Sequence, residues 1–379
     1  MKRICYLDGL RGIACLMVFL NHFMWFYYPA SLSGKVAQVH SSWDLFWIRT
    51  PFNFFFNGSF AIAVFFILSG YVLSAPLFHK DLKSEFWTSV AKRIPRLGIP
   101  ITASVLMAFL LIHAHCYYSN EASAITHSPW SAAALLTIPH HLQDLITVPI
   151  LTLFTPFYPY YNAPLWTMPI EFYGSMLTFL LLACFRLKEW RWLLYCFCIV
   201  GFYKTYLPLF TLGVCLNDLQ KHHPRVLPQL FSRITRPLFL VIVFILGAYP
   251  FHQVPHDFYH LIHYSLFDYS TWHMIAAFLL LGCLVESPRL QTFFSHRFIL
   301  FFGHISFSLY LFHYIVLLSL GSFVFISLIH HTTYFIAALS SGIISFIVVV
   351  PVSFIMTKIL DQPAMRISQK CAEYLRRWQ

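Results

Sequence analysis

Long apolar stretches recur along the whole chain, and the short segments between them hold most of the charged residues. A stretch of about 20 apolar residues forms a helix that can cross the hydrocarbon core of a bilayer. The segment 131–155 is also apolar, but its histidines and two prolines favour an interfacial or re-entrant position. The pattern predicts an all-α, polytopic transmembrane bundle of about ten helices, near 4–28, 59–79, 97–113, 164–185, 190–203, 205–217, 237–252, 271–286, 304–328 and 334–360.

The basic residues are distributed unevenly among the predicted loops, and their placement predicts the topology. Lys and Arg in short loops favour the cytosolic side of a membrane. If the N-terminus is cytosolic, 21 of the 25 Lys and Arg residues fall in cytosolic segments. Both termini are therefore predicted to be cytosolic. Topology also explains the net charge of +11, so no nucleic-acid partner is expected.

The composition is that of a membrane domain without a separate soluble part. Only 10% of the residues are charged, whereas an ordinary soluble domain has roughly 25%. Residues 1–379 are therefore predicted to form a single membrane domain. The nine cysteines show no Cys-x-x-Cys pattern or disulfide framework. No metal is expected either, because no carboxylate or cysteine pattern completes a site with His252, His256, His260 and His263.

The first predicted helix has polar residues on one face. Arg11 and His22 are eleven residues apart, close to three helical turns, so both project from one face about 16 Å apart. An ionisable residue inside a span is costly unless it faces protein or water, so the pair indicates a lined cavity. Asp8 is placed either to cap the helix start or to pair with Arg11. The alternatives are a purely structural histidine and an arginine that reaches the headgroups.

A series of short motifs resembles the acyltransferase-3 family, which comprises integral membrane acyltransferases that modify sugars, lipids and natural products. In chain order the motifs are Asp8-Gly-Leu-Arg-Gly12 with His22, Phe65-Phe-Ile-Leu-Ser-Gly-Tyr71, Lys92-Arg-Ile-Pro-Arg96, Leu165-Trp-Thr-Met-Pro-Ile-Glu-Phe-Tyr-Gly-Ser175, Ile305-Ser-Phe-Ser-Leu-Tyr-Leu-Phe-His313 and Asp361-Gln-Pro363. The resemblance covers nearly the whole chain, and the fourth motif is similar to the fungal form. Asp361 departs from the glutamate of many members, and Tyr173 stands where arginine is frequent.

Transfer of an acyl group from a thioester to a hydroxyl needs a base that accepts the hydroxyl proton. His22 is the candidate, because the unperturbed pKa of histidine lies near neutrality. Glu171 is the only carboxylate well inside the fourth predicted span, so it is the candidate that orients this base. Its alternative role is that of a buried structural acceptor. Ser69, Trp166 and Asn21 are the candidates for stabilising the oxyanion. Tyr310 and His313 are added as candidates for binding substrate, with His313 supplying a hydrogen bond in the cavity and not acting as the base.

Arg93 and Arg96 flank Pro95 at the predicted cytosolic mouth of the third span. Guanidinium groups bind phosphates through paired donors, and the family resemblance implies acyl-CoA, with acetyl-CoA favoured, as co-substrate. Both residues, together with Arg11, are therefore candidates for binding the donor. The alternative is an ordinary basic cytosolic loop.

These features predict a membrane-bound O-acyltransferase. The expected partners are the bilayer, the acyl-CoA donor and a lipophilic hydroxyl acceptor such as a secondary metabolite, and the expected location is the endoplasmic reticulum membrane. One alternative is a transporter of a small organic molecule, although such folds often contain internal repeats and this chain shows none. Another is a non-catalytic scaffold, which gives no reason for Arg11 and His22 to share a face.

Overall fold

The computed structural model describes residues 4–79, 82–129, 140–155, 161–185, 188–255, 257–262 and 267–376. These residues form helices and connecting turns, with no β-strand among them, which confirms the predicted all-α class. The helices that build the bundle are α1 (Cys5–Tyr27), α2 (Gly58–Ser74), α3 (Leu82–His113), α4 (Asp144–Phe154), α5 (Thr167–Phe185), α6 (Arg191–Gly201), α7 (Leu207–His222), α8 (Thr235–Gly247), α9 (Tyr269–Val285), α10 (Pro288–Phe294), α11 (Arg297–Ile329) and α12 (Tyr334–Arg376).

Five of the described helices are long and apolar enough to cross a membrane, and the number is six if α9 and α10 form one bent span. The shorter apolar helices include α4 and α6, each of 11 residues. At 1.5 Å per residue each is about 16 Å long, roughly half the hydrocarbon thickness. This length agrees with a non-spanning position for α4, whereas residues 131–139 of the same predicted segment lie outside the described residues. The count of ten spans, the cytosolic termini and the single domain stay predictions.

Three helices extend well beyond their predicted spans. α3 begins at Leu82 and runs through Pro95 and Pro100. α11 begins at Arg297, and α12 continues to Arg376, where the span was predicted to end at 360. The predicted bounds followed the apolar runs, which stop at charged residues and prolines. A helix can continue into polar surroundings when one of its faces still packs on protein, as the last part of α12 does against α3.

A π-helical turn interrupts α12 at Thr357–Asp361, and a second interrupts α11 at Leu317–Gly321. The turn in α12 ends just before Pro363, which has no amide hydrogen for a regular helical bond. Turns of this kind are frequent at functional sites. The one in α12 carries Asp361 to the wall of the cavity described below.

α1 and α11 run parallel and pack closely through small residues. A Cβ added at Gly12 would lie 2.6 Å from the backbone nitrogen of Gly303. Farther along both helices, Cys15 Sγ is 3.2 Å from the backbone oxygen of Ser306. Small residues allow this close backbone approach between membrane helices. The contacts follow the same order along both helices, so side chains on their facing surfaces meet at matching depths.

Candidate active site

A cavity of about 540 Å³ lies toward the end of the bundle where α1 begins. Pockets of this size hold small organic ligands. Its wall is built by α1, α2, α3, α5, α11 and α12. The polar lining residues are Asp8, Arg11, Ser69, Arg93, Arg96, Thr167, Glu171, His304, Ser306, Tyr310, Asp361 and Gln362. The apolar ones are Ile62, Phe65, Phe66, Val72, Leu73, Leu97, Gly303, Met168, Phe307 and Met365.

The three arginines predicted to bind the donor all line this cavity, but their surroundings differ. Arg11 Nη1 is 3.6 Å from Asp8 Oδ1, so Asp8 pairs with Arg11 and does not cap the helix start. Arg93 is buried, and its Nη2 is 3.2 Å from Glu171 Oε1. Arg96 is exposed, and no carboxylate in the described part of the chain forms an ion pair with it. Arg96 is therefore the cavity arginine most available to an anionic ligand.

Glu171 is held by Arg93 and Ser69. The hydroxyl of Ser69 donates to Glu171 Oε1 at 2.9 Å, and Arg93 Nη2 reaches the same oxygen. A buried guanidinium is costly without a carboxylate beside it, and Glu171 supplies that carboxylate. The structure therefore does not bring Glu171 to His22, although the sequence had suggested it as the residue that orients this histidine.

His22 instead faces a second histidine. His22 Nδ1 is 3.0 Å from His313 Nε2 and also 3.0 Å from the backbone oxygen of Val18. The two imidazole centroids are 4.9 Å apart, and the ring of Tyr314 lies 5.2 Å from that of His22. Neither histidine is among the residues that line the cavity. The structure thus brings together two predicted site residues from α1 and α11.

Tyr310 connects the cavity with the histidine pair. It lines the cavity, and its ring centroid is 6.1 Å from that of His313. Its hydroxyl donates to the backbone oxygen of Pro164 at 3.0 Å and is 2.8 Å from Thr167 Oγ1. The pair therefore lies one aromatic ring behind the inner wall of the cavity.

Asn21 and Trp166 lie apart from the cavity lining. The side-chain amide of Asn21 donates to the backbone oxygen of Phe56 at 2.6 Å, which ties α1 to the segment before α2. The ring of Trp166 packs at 5.5 Å from that of Tyr206. Of the predicted oxyanion donors, only Ser69 therefore reaches the cavity, and its hydroxyl is bonded to Glu171.

Six polar lining residues were not predicted as site residues: Asp8, Thr167, His304, Ser306, Asp361 and Gln362. Each has a signal in the sequence. Asp8 begins the first motif, Thr167 lies inside the fourth, and His304 directly precedes the fifth, which contains Ser306. Asp361 and Gln362 belong to the closing motif. Motif membership alone does not say which side chains face the cavity.

Metal-ligating side chains do not cluster in the described residues, where no group of three or more His, Cys, Asp or Glu residues could hold an ion. Of the four histidines considered above, His256 and His263 lie outside the described residues.

Comparison with known proteins identifies the family. The model of the acyltransferase-3 family, which is described as an acyltransferase domain, matches residues 4–358. Acyltransferase R4 of Phoma sp. is 23% identical over 397 aligned positions, which cover 83% of this chain and 83% of that protein. The O-acetyltransferase PaAT-1 of Phomopsis amygdali is 24% identical over 426 positions, 96% of this chain and 83% of that protein. No solved structure shows significant similarity. The chain belongs to the acyltransferase-3 family.

Proposed function

We propose that this acyltransferase moves an acetyl group from acetyl-CoA to a hydroxyl of a lipophilic small molecule. The observation that carries the proposal is the polar cavity, which has arginines in its wall and a histidine pair one ring behind its inner wall. Arg96 and Arg11 supply cations for the phosphates of the donor. The apolar wall formed by residues such as Phe65 and Met168 suits the narrow, mostly uncharged pantetheine chain of acetyl-CoA.

His22 acts as the general base in this proposal. The acyl end of the donor is placed at the inner end of the cavity, against Tyr310, and the acceptor hydroxyl on the side of His22. The imidazole of His22 takes the hydroxyl proton while the oxygen forms a bond to the thioester carbon. The carbon–sulfur bond then breaks, and the proton held by the imidazolium returns to the leaving thiolate. Atoms and charge balance without a metal or redox partner.

The acceptor and the location are proposed on similarity. One of the two relatives, both from fungi, is named an O-acetyltransferase, which supports acetyl as the transferred group. As the acceptor we propose a secondary metabolite. The apolar helices support a membrane position, for which we propose the endoplasmic reticulum. Mass spectrometry of metabolites from cells with and without the chain would identify the acceptor, because the mass difference reports both the acyl group and the molecule that receives it.

The test compares the parent protein with His22→Ala in purified, monodisperse form. Loss of a general base lowers turnover roughly 10²- to 10⁴-fold with little change in donor affinity. The control is His273→Ala, which removes a buried histidine on α9 that is bonded to the backbone oxygen of Tyr249. Turnover of folded His22→Ala within a few-fold of the parent would exclude His22 as the base. Uptake of a small molecule without any acylated product would favour the transporter.

A further inference from the structure

We propose that His313 is a positioning residue for His22: it accepts the Nδ1 proton of His22, and thereby keeps Nε2 of His22 as the basic nitrogen. This role rests on the proposed function of His22 as the base. The sequence had placed His313 among the substrate-binding residues. In the structure His313 is 1% exposed, and its two ring nitrogens face the protein.

The contacts of both rings determine where the protons lie. His313 Nδ1 is 3.0 Å from the backbone oxygen of Leu309, which can only accept, so this nitrogen carries hydrogen. In a neutral ring the other nitrogen, Nε2, then has the lone pair. That lone pair faces His22 Nδ1 at 3.0 Å. The backbone oxygen of Val18 lies at the same distance from His22 Nδ1.

Two acceptors therefore surround Nδ1 of His22, one from its own helix and one from α11. Nδ1 carries the hydrogen under these conditions, and the lone pair of a neutral His22 is on Nε2. A backbone acceptor on the same helix sets the tautomer only. The second acceptor, from His313, also sets the rotation of the ring, because it comes from another helix. An oriented partner of this kind is what a general base needs.

The close packing of the two helices explains why the acceptor is held in place. Gly12 and Gly303 meet at the backbone, and each lies ten residues before the histidine of its own helix. Because α1 and α11 run parallel, equal steps from this contact bring His22 and His313 to the same depth. A hydrogen bond whose geometry is fixed by two packed backbones needs little reorganisation during the reaction.

The arrangement has a chemical consequence. When His22 takes a proton at Nε2, its ring becomes cationic and Nδ1–H becomes a stronger donor toward His313. The two rings together hold one added proton, because two imidazolium groups at this distance repel each other. His313 thus stabilises the protonated base without a carboxylate, and the pair titrates as one unit.

The experiment compares His313→Gln with His313→Asn. The amide end of glutamine reaches the place of Nε2 and can accept from His22, whereas the shorter asparagine reaches only the place of Nδ1. Both substitutions replace an imidazole by an amide, so they cost similar packing. His273→Gln on α9 is the control for loss of a buried histidine elsewhere. Turnover per folded molecule, the Michaelis constant for acetyl-CoA and the pH profile of kcat/KM are measured for each.

We expect His313→Asn to lower kcat roughly 10- to 100-fold with a nearly unchanged Michaelis constant, and to shift the ionisation seen in the pH profile. His313→Gln should keep kcat within about fivefold of the parent. Equal losses in both variants with an unshifted pH profile would mean that His313 is only structural. Full activity of His313→Asn, alongside an inactive His22→Ala, would overturn this proposal alone. Activity of His22→Ala would overturn the proposed function itself.

Discussion

Gly12→Ala tests whether the spacing between α1 and α11 controls the reaction. Gly12 lies on the first helix, ten residues before His22, and does not line the cavity. A Cβ at this position would lie 2.6 Å from the backbone nitrogen of Gly303 and 2.9 Å from the backbone oxygen of Ile299. Both atoms belong to backbone, so no side-chain rotation can make room. The two helices have to move apart.

The size of the movement follows from these distances. Ordinary contacts of a Cβ begin at 3.4 Å, so the helices have to separate by about 0.8 Å at Gly12. If this displacement is transmitted along α1, the distance of 3.0 Å between His22 Nδ1 and His313 Nε2 lengthens to about 3.8 Å. A distance of that length is no longer a hydrogen bond. We expect turnover to fall roughly 100-fold, which is typical of a misplacement near 1 Å, with a loss of about 1–3 kcal/mol in stability from overpacking.

The assay is turnover per folded molecule in nanodiscs, with folding checked by monodispersity and thermal unfolding. Gly201→Ala is the matched control, because a Cβ at the end of α6 meets no atom within 4 Å. This control should keep the turnover of the parent and unfold at the same or a slightly higher temperature. If folded Gly12→Ala turns over as fast as Gly201→Ala, the helix spacing does not govern catalysis and the reasoning is refuted.

Two further predictions concern the donor site and the topology. Arg96→Ala should raise the Michaelis constant for acyl-CoA and leave thermal stability unchanged, because Arg96 is exposed and lines the cavity. Arg93→Ala should lower stability by about 1–3 kcal/mol, because it leaves the half-buried Glu171 carboxylate without its cation. Equal stability and equal Michaelis constants for acyl-CoA in the two variants would contradict this division of roles. Tags on both termini should be accessible to protease on the cytosolic face of sealed microsomes, since 21 of the 25 basic residues lie in predicted cytosolic segments, and protection of either tag would contradict the topology.

The class of the protein and most of its helices follow from the sequence. Apolar runs separated by charged segments predicted an all-α bundle, and α1 was placed at 4–28 against the observed Cys5–Tyr27. Such runs report the preference of each segment for lipid, which is local information. They were less informative for α3 and α12, whose ends lie among charged residues and prolines. There the neighbouring helix, not the local composition, decides how far the helix continues.

The chemistry-bearing residue types were also recognisable, because ionisable groups are costly in apolar spans and stand out there. The partners of these residues could not be recognised from the sequence. His22 and His313 are 291 residues apart in the sequence. Ser69 and Arg93, which both contact Glu171, are 102 and 78 residues away from it. The sequence by itself determined a membrane acyltransferase with a polar first helix. Only the tertiary structure decided that Glu171 pairs with Arg93 while His22 meets His313. Contacts between side chains of different helices depend on how those helices pack, and the spacing of residues along one helix does not determine this packing.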